Sequence, residues 1–193
     1  MMNLAVFASG NGSNFEAVME AVKSGAVQGE VKLLVCDKEQ AFAIERAKNH
    51  GIPTFVASPK KYSSKEAYET NVLKQLHENN VELIVLAGYM RLIGSTLLHA
   101  FEHRILNIHP SLLPAFPGLD AIGQAFDAKV KVSGVTVHYV DAGMDTGPII
   151  AQESIYIEDG DTREDVQRKI QQVEHQLYPA TIQKVIEQIT RGV

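Results

Sequence analysis

Cysteine is almost absent from this chain: Cys36 is the only one in 193 residues. No internal disulfide and no CxxC metal or redox site can form. Long hydrophobic runs are also missing, so no segment reaches the length needed to cross a bilayer. The first residues carry no charged n-region ahead of a short apolar run, which argues against a secretory signal. There is no excess of positive charge either. Lys and Arg number 18 against 23 Asp and Glu, a formal net charge of −5. Residues 1–100 carry ten of each sign and residues 101–193 carry eight basic against thirteen acidic, so the excess lies wholly in the second half. A basic field for nucleic acid is thereby excluded, and an anionic ligand must be held by local geometry. The expectation is a cytoplasmic protein acting on small molecules, with no nucleic-acid or membrane partner.

What the chain does have is apolar sequence along its whole length, 45% of residues. Short apolar runs at 4–8, 31–36, 54–57 and 83–87 alternate with helical periodicity at 15–22, 41–49 and 65–79. Strands separated by helices of this length imply right-handed crossovers and a parallel sheet. A fifth strand is expected over 104–108, leading into a proline-rich loop over 110–118. Residues 132–140 and 149–157 read as an antiparallel pair joined by a loop over 141–148. A long helix follows, capped near Asp161 or Thr162, with Val166, Ile170, Val173 and Leu177 as its apolar stripe until Pro179 interrupts it. The predicted fold is a single α/β domain over 1–193, Rossmann-like, with a mostly parallel sheet, flanking helices and an antiparallel C-terminal part. Apolar helix faces leave both monomer and homodimer open.

Three places could carry chemistry. The loop Ser9, Gly10, Asn11, Gly12, Ser13, Asn14 lies between a strand and a helix, where backbone N–H groups can face a phosphate. It is neither a dinucleotide fingerprint nor a P-loop, because Phe15 stands where a glycine is needed and no Gly-Lys-Ser/Thr follows. The plain structural alternative is a tight turn with Ser13 or Asn14 as N-cap. The second place is Asn107, Ile108, His109, Pro110, Ser111, Leu112, Leu113, Pro114. Strand alternation puts Asn107 and His109 on one face at the C-terminal edge of the sheet, where ligands of open α/β sheets bind. An amide and a protonated imidazole there could both donate to a developing oxyanion; alternatively His109 satisfies backbone groups before the turn. The third is Asp145, flanked by glycines and Pro148, which would favour the charged form of His109 if the two faced each other. Its alternative role is an Asx-turn. The seven histidines (50, 77, 99, 103, 109, 138 and 175) show no metal-binding spacing, and His99 and His103 read as surface helix residues. No G-x-S-x-G elbow suggests a serine nucleophile.

These motifs, together with Ala87, Gly88, Tyr89, Met90, Arg91 and Leu92 and the run Gly143, Met144, Asp145, Thr146, Gly147, Pro148, resemble in order and spacing the phosphoribosylglycinamide formyltransferases of purine biosynthesis. The likeness extends over nearly the whole chain and implies the formyltransferase fold. It implies transfer of the formyl group of 10-formyltetrahydrofolate to the amine of 5'-phosphoribosylglycinamide, without a metal. By the same resemblance Gly12, Ser13 and Asn14 would bind the substrate phosphate, and Asn107, His109 and Asp145 would be catalytic. Lys65, Met90, Arg91, Leu92, Ile93, Asn107, Asp141, Ala142, Gly143, Met144 and Asp145 would bind folate, and Gln171 and Glu174 the rest of the ribonucleotide. Residues 1–100 would then form a phosphate-binding half and 101–193 a catalytic and folate-binding half. Ala115 and Asp120 depart from the family's usual Lys or Arg and His, so no contact is carried over there.

Two other functions use the same features. A formyl-folate hydrolase or another formyltransferase would share the chemistry, but such relatives usually carry a further domain that 193 residues would not hold. A non-catalytic nucleotide-binding module would keep Gly12, Ser13 and Asn14 without needing Asn107, His109 and Asp145 together.

Overall fold

A computed structural model describes residues 1–192. Seven strands form one sheet in the order β3-β2-β1-β4-β5-β6-β7. These are β1 (Met2–Ala8), β2 (Gly29–Cys36), β3 (Thr54–Val56), β4 (Leu83–Leu86), β5 (Ile105–His109), β6 (Val132–Tyr139) and β7 (Ile149–Tyr156). The first five run parallel, and β6 and β7 join the sheet through antiparallel pairings, as the sequence predicts. Alternation along β1 shows how the sheet is covered. Leu4, Val6 and Ala8 enter one core, while Ala5 and Phe7 enter another on the opposite face, and all five are fully buried.

Helices α1 (Ser13–Lys23), α2 (Phe42–Asn49) and α6 (Arg163–Arg191) close the first face through Phe15, Ala43, Ile170 and Ile182. Helices α3 (Lys65–Glu78) and α4 (Ser95–Ala100) close the second through Tyr68, Val72 and Leu97. The short helices α4 and α5 (Ala121–Asp127) escape the sequence pattern, because neither is long enough to establish a 3.6-residue period. His99 does lie on α4, but His103 follows it in a left-handed turn with φ of 56°.

Pro179 does not end the last helix. Helix α6 runs through it to Arg191, capped at its start by Thr162 in a reciprocal box with Asp165. A proline removes one helical hydrogen bond, but burial on both sides of it outweighs that loss. Tyr178, Ile182, Val185 and Ile186 are all buried, and the Tyr178 hydroxyl donates to the carbonyls of Leu86 at 2.7 Å and Leu106 at 3.2 Å. The last helix is thereby fastened to β4 and β5.

Strand order reverses direction around β1, which has β2 on one side and β4 on the other. Such a switch point opens a crevice at the C-terminal ends of the strands. Loop 9–14 leaves β1 there, segment 87–92 leaves β4, and β5 ends on His109.

Candidate active site

Loop 9–14 is shaped by Gly12, whose φ of 79° is left-handed. A Cβ at this position would lie 2.8 Å from the Cβ and 2.9 Å from the Cα of Ala43, so helix α2 excludes any side chain. Gly12 is also the N-cap of α1, and no side chain caps the helix. This corrects the expectation that Ser13 or Asn14 does so. The leading N–H groups of an uncapped helix lack intrahelical partners and carry the positive end of its dipole. Arg46 stiffens the loop, donating through Nε to the Asn11 carbonyl at 2.9 Å and through Nη2 to Asn11 Oδ1 at 3.0 Å. Its Nη1 meets Glu16 at 3.1 Å, and His50 meets the same carboxylate at 2.7 Å.

A cavity of about 450 Å³ occupies the crevice. Tyr89, Met90, Arg91, Leu92 and Ile93 line one wall, and Val140, Asp141, Gly143, Met144 and Asp145 the other. Asn107, His109 and His138 stand between them, and Asn14 and Glu174 contribute toward loop 9–14. Met90, Leu92, Leu119 and Met144 leave half or more of their surface in solvent around this opening. Exposed apolar groups clustered at one cleft mark a ligand-binding groove rather than ordinary surface.

Strand register builds the polar centre. Asn107 pairs directly with His138 across β5 and β6, and its Nδ2 lies 3.2 Å from His138 Nε2. His138 Nδ1 lies 2.8 Å from the carbonyl of Tyr139, which can only accept, so Nδ1 carries the proton and Nε2 accepts from Asn107. Burial holds the His138 pKa below the usual imidazole value, keeping the ring neutral and that tautomer in place. The second Nδ2–H of Asn107, a cavity-lining residue, is left over for a ligand.

His109 is 5% exposed. Its Nδ1 lies 3.4 Å from Asp145 Oδ2, and its Nε2 donates to the Phe116 carbonyl at 2.8 Å. Both ring nitrogens thus face oxygen acceptors, an arrangement that a doubly protonated ring satisfies and a neutral ring only half satisfies. Asp145 adopts a left-handed φ of 55°, and its Oδ2 accepts the Gly118 N–H at 2.8 Å. The Asx-turn belongs to Asp141 instead, which accepts from Gly143 N at 3.0 Å and Thr146 Oγ1 at 2.6 Å. The proline-rich loop is pinned by Thr136, whose hydroxyl donates to the Ser111 carbonyl and accepts from Leu113 N.

The chain matches the model of the formyl transferase family over residues 2–182. The chain belongs to that family. Among its relatives is the phosphoribosylglycinamide formyltransferase of Bacillus subtilis (strain 168), 56% identical over 192 residues, covering 100% of this chain and 98% of the relative. The crystal structure of phosphoribosylglycinamide formyltransferase from Bacillus halodurans superposes with a TM-score of 0.93 at 59% identity, covering 95% of both chains. Glycinamide ribonucleotide transformylase 1 from Geobacillus kaustophilus does so at 0.93 and 56%, covering 96% of this chain and 98% of that one.

Within this formyl transferase, the expected site residues fall into three groups. Asn107, His109, Asp145 and Met90–Ile93 converge on the cavity with Asp141, Gly143 and Met144, whereas Ala142 does not line it. Asn14 and Glu174 link the cavity to loop 9–14, with Asn14 Nδ2 at 3.4 Å from Glu174 Oε2. Burial pushes Glu174 up to about 7, opposed by that hydrogen bond. Gln171 and Lys65 lie outside the cavity lining; Lys65 is the first residue of α3 and packs beside Gly94. Sequence reasoning overlooked His138, and the only signal available was its place on a strand predicted to pair antiparallel with the one bearing Asn107.

Proposed function

We propose that this protein transfers the formyl group of 10-formyltetrahydrofolate to the amine of 5'-phosphoribosylglycinamide, giving N-formylglycinamide ribonucleotide in de novo purine biosynthesis. The observation that carries this reading is the meeting of Asn107, His109 and Asp145 in one cleft between an apolar wall and an uncapped glycine-rich helix start. Similarity over the full length to a protein named phosphoribosylglycinamide formyltransferase supports it.

The resemblance to the phosphoribosylglycinamide formyltransferases supports the following roles. The N–H groups of Gly12, Ser13 and Asn14 take the phosphate. Glu174, with Gln171 one turn before it on the same helix, takes the sugar or glycyl end. The pterin lies between Met90, Arg91, Leu92 and Ile93 and the loop formed by Asp141, Ala142, Gly143, Met144 and Asp145, with Lys65 at the outer rim for the acidic tail. The first hundred residues therefore bind phosphate and lend one folate wall, while residues 101–193 supply catalysis and the other wall.

The amine nitrogen attacks the formyl carbon, a C–N bond forms, and the carbonyl electron pair moves onto oxygen. Asn107 donates its free N–H to that oxyanion. His109 donates from Nε2, where the oxyanion takes over from the Phe116 carbonyl. Asp145 holds the opposite edge of the His109 ring and accepts, by way of solvent, the proton the amine loses. Collapse breaks the bond to N10 of the folate, which takes that proton back through the same solvent as it leaves. Preorganised donors of this kind are worth several kcal/mol in a water-poor cleft.

The protein acts in the cytoplasm, whose reducing conditions suit a chain with one thiol, as a monomer or a homodimer; fractionation and sedimentation test these two statements. Activity is tested by following tetrahydrofolate formation spectroscopically with and without the ribonucleotide. Ribonucleotide-dependent release is expected. Formate release without it would establish a hydrolase, and no turnover would leave a binding module.

A further inference from the structure

We propose that Asp37 is a positioning residue for the formyl-folate wall, an inference that rests on the function proposed above. Asp37 follows β2 directly, does not line the cavity, and has a side chain only 1% exposed. A carboxylate so deeply buried requires partners for both oxygens. Oδ1 accepts the Ser9 hydroxyl at 2.5 Å, and Oδ2 accepts Nε of Arg91 at 2.7 Å.

The first of these bonds has a directional effect. Having given its only proton to Asp37, the Ser9 oxygen is left with lone pairs, and it accepts the Met90 N–H at 2.9 Å. The Ser9 amide meanwhile donates to the Gly88 carbonyl at 3.1 Å. One acid at the end of β2 therefore orients a hydroxyl at the end of β1 and a guanidinium after β4, and both fasten the segment bearing Met90 and Arg91. That segment turns at Gly88, with a φ of 77°, and forms no regular structure of its own. Its path is consequently set by these bonds, together with the Tyr68 and Tyr89 hydroxyls at 3.0 Å and Glu69, which accepts Gly94 N at 2.6 Å. Asp37 touches no ligand in this scheme and acts through Ser9 and Arg91.

The test is a set of steady-state measurements well below each variant's Tm. Asp37→Asn keeps the size and one acceptor but turns an N–H toward Arg91. It is expected to raise KM for 10-formyltetrahydrofolate about tenfold, the size of one charge-assisted hydrogen bond. KM for the ribonucleotide and kcat at saturation stay within about twofold, a split that general destabilisation does not produce. Calorimetric titration with tetrahydrofolate should show the same loss in Kd. Arg91 also lines the folate wall, so combining Arg91→Gln with Asp37→Asn should raise this KM by clearly less than the product of the two single effects. An unchanged KM for formyl-folate, or losses spread equally over both substrates and kcat, would overturn the proposal. If Asp37→Asn does not fold, Ser9→Ala, which keeps the ion pair, decides by the same KM: a rise supports the proposal and no change overturns it. Absence of formyl transfer by the unaltered protein would refute the proposed function instead, while the tetrahydrofolate titration would still decide the role of Asp37.

Discussion

Asp145 Oδ2 lies 3.4 Å from His109 Nδ1, although one residue closes a strand and the other sits in a hairpin loop after β6. The same oxygen accepts the Gly118 amide, so the proline-rich loop and the hairpin loop share one carboxylate. An acid, an imidazole and the Asn107 amide thereby line one cavity, where the proposed reaction develops its charge.

Removing an oxyanion donor should therefore affect kcat rather than binding. Asn107→Ala and His109→Ala are each expected to lower kcat by about 10²–10³. KM for the ribonucleotide should change little, since loop 9–14 is untouched. Initial-rate kinetics on purified variants check this, and near-normal turnover in His109→Ala would remove its assignment.

His138 should matter chiefly through Asn107. Its Nε2 holds Asn107 in place, so His138→Phe frees the amide to rotate and leaves a buried polar group short of a partner. A fall in kcat of about tenfold is expected, with a stability loss of about 1–3 kcal/mol. The fall should vanish in an Asn107→Ala background, where no amide remains to orient; a double-mutant cycle measures this.

Gly12→Ala should damage both stability and phosphate binding. The new methyl would occupy a left-handed backbone position and collide with Ala43. Strain of this type costs about 1–3 kcal/mol. KM for the ribonucleotide should rise at least about tenfold while KM for formyl-folate is nearly unchanged, and thermal unfolding should show the lowered Tm.

Glu174 makes stability fall as pH rises. Burial lifts its pKa from an ordinary 4.5 to about 7, so between these values the unfolded chain releases a proton that the folded chain retains. The stabilising contribution is complete below about 4.5 and is lost as pH climbs through about 7. Glu174→Gln removes this dependence. Relative to the unaltered protein, the variant should gain on the order of 2–3 kcal/mol between pH 4.5 and 8, read from denaturant unfolding at the two values without ligand.

Much of this molecule is legible in its residues. The parallel half of the sheet follows from apolar runs such as Leu83, Ile84, Val85 and Leu86, which carry no polar alternation because helices cover both faces. Asn107 and His109 share a face because side chains along a strand alternate. What misled was the local rule about Pro179: loss of one helical hydrogen bond is a modest local penalty, and buried packing around Tyr178 and Ile182 exceeded it. The side chains of Ser13 and Asn14 look like caps, yet the turn imposed by Gly12 leaves the helix uncapped.

The sequence by itself determined the fold class, the glycine loop and the residue types that do chemistry, since periodicity and composition act over neighbouring positions. Only the tertiary structure decided which of them meet. Asp145 with His109, His138 with Asn107, and Asp37 with Ser9 and Arg91 are pairings across strands and loops. Their geometry depends on sheet order, register and burial, which arise from interactions between distant parts of the chain and leave no short-range pattern to read.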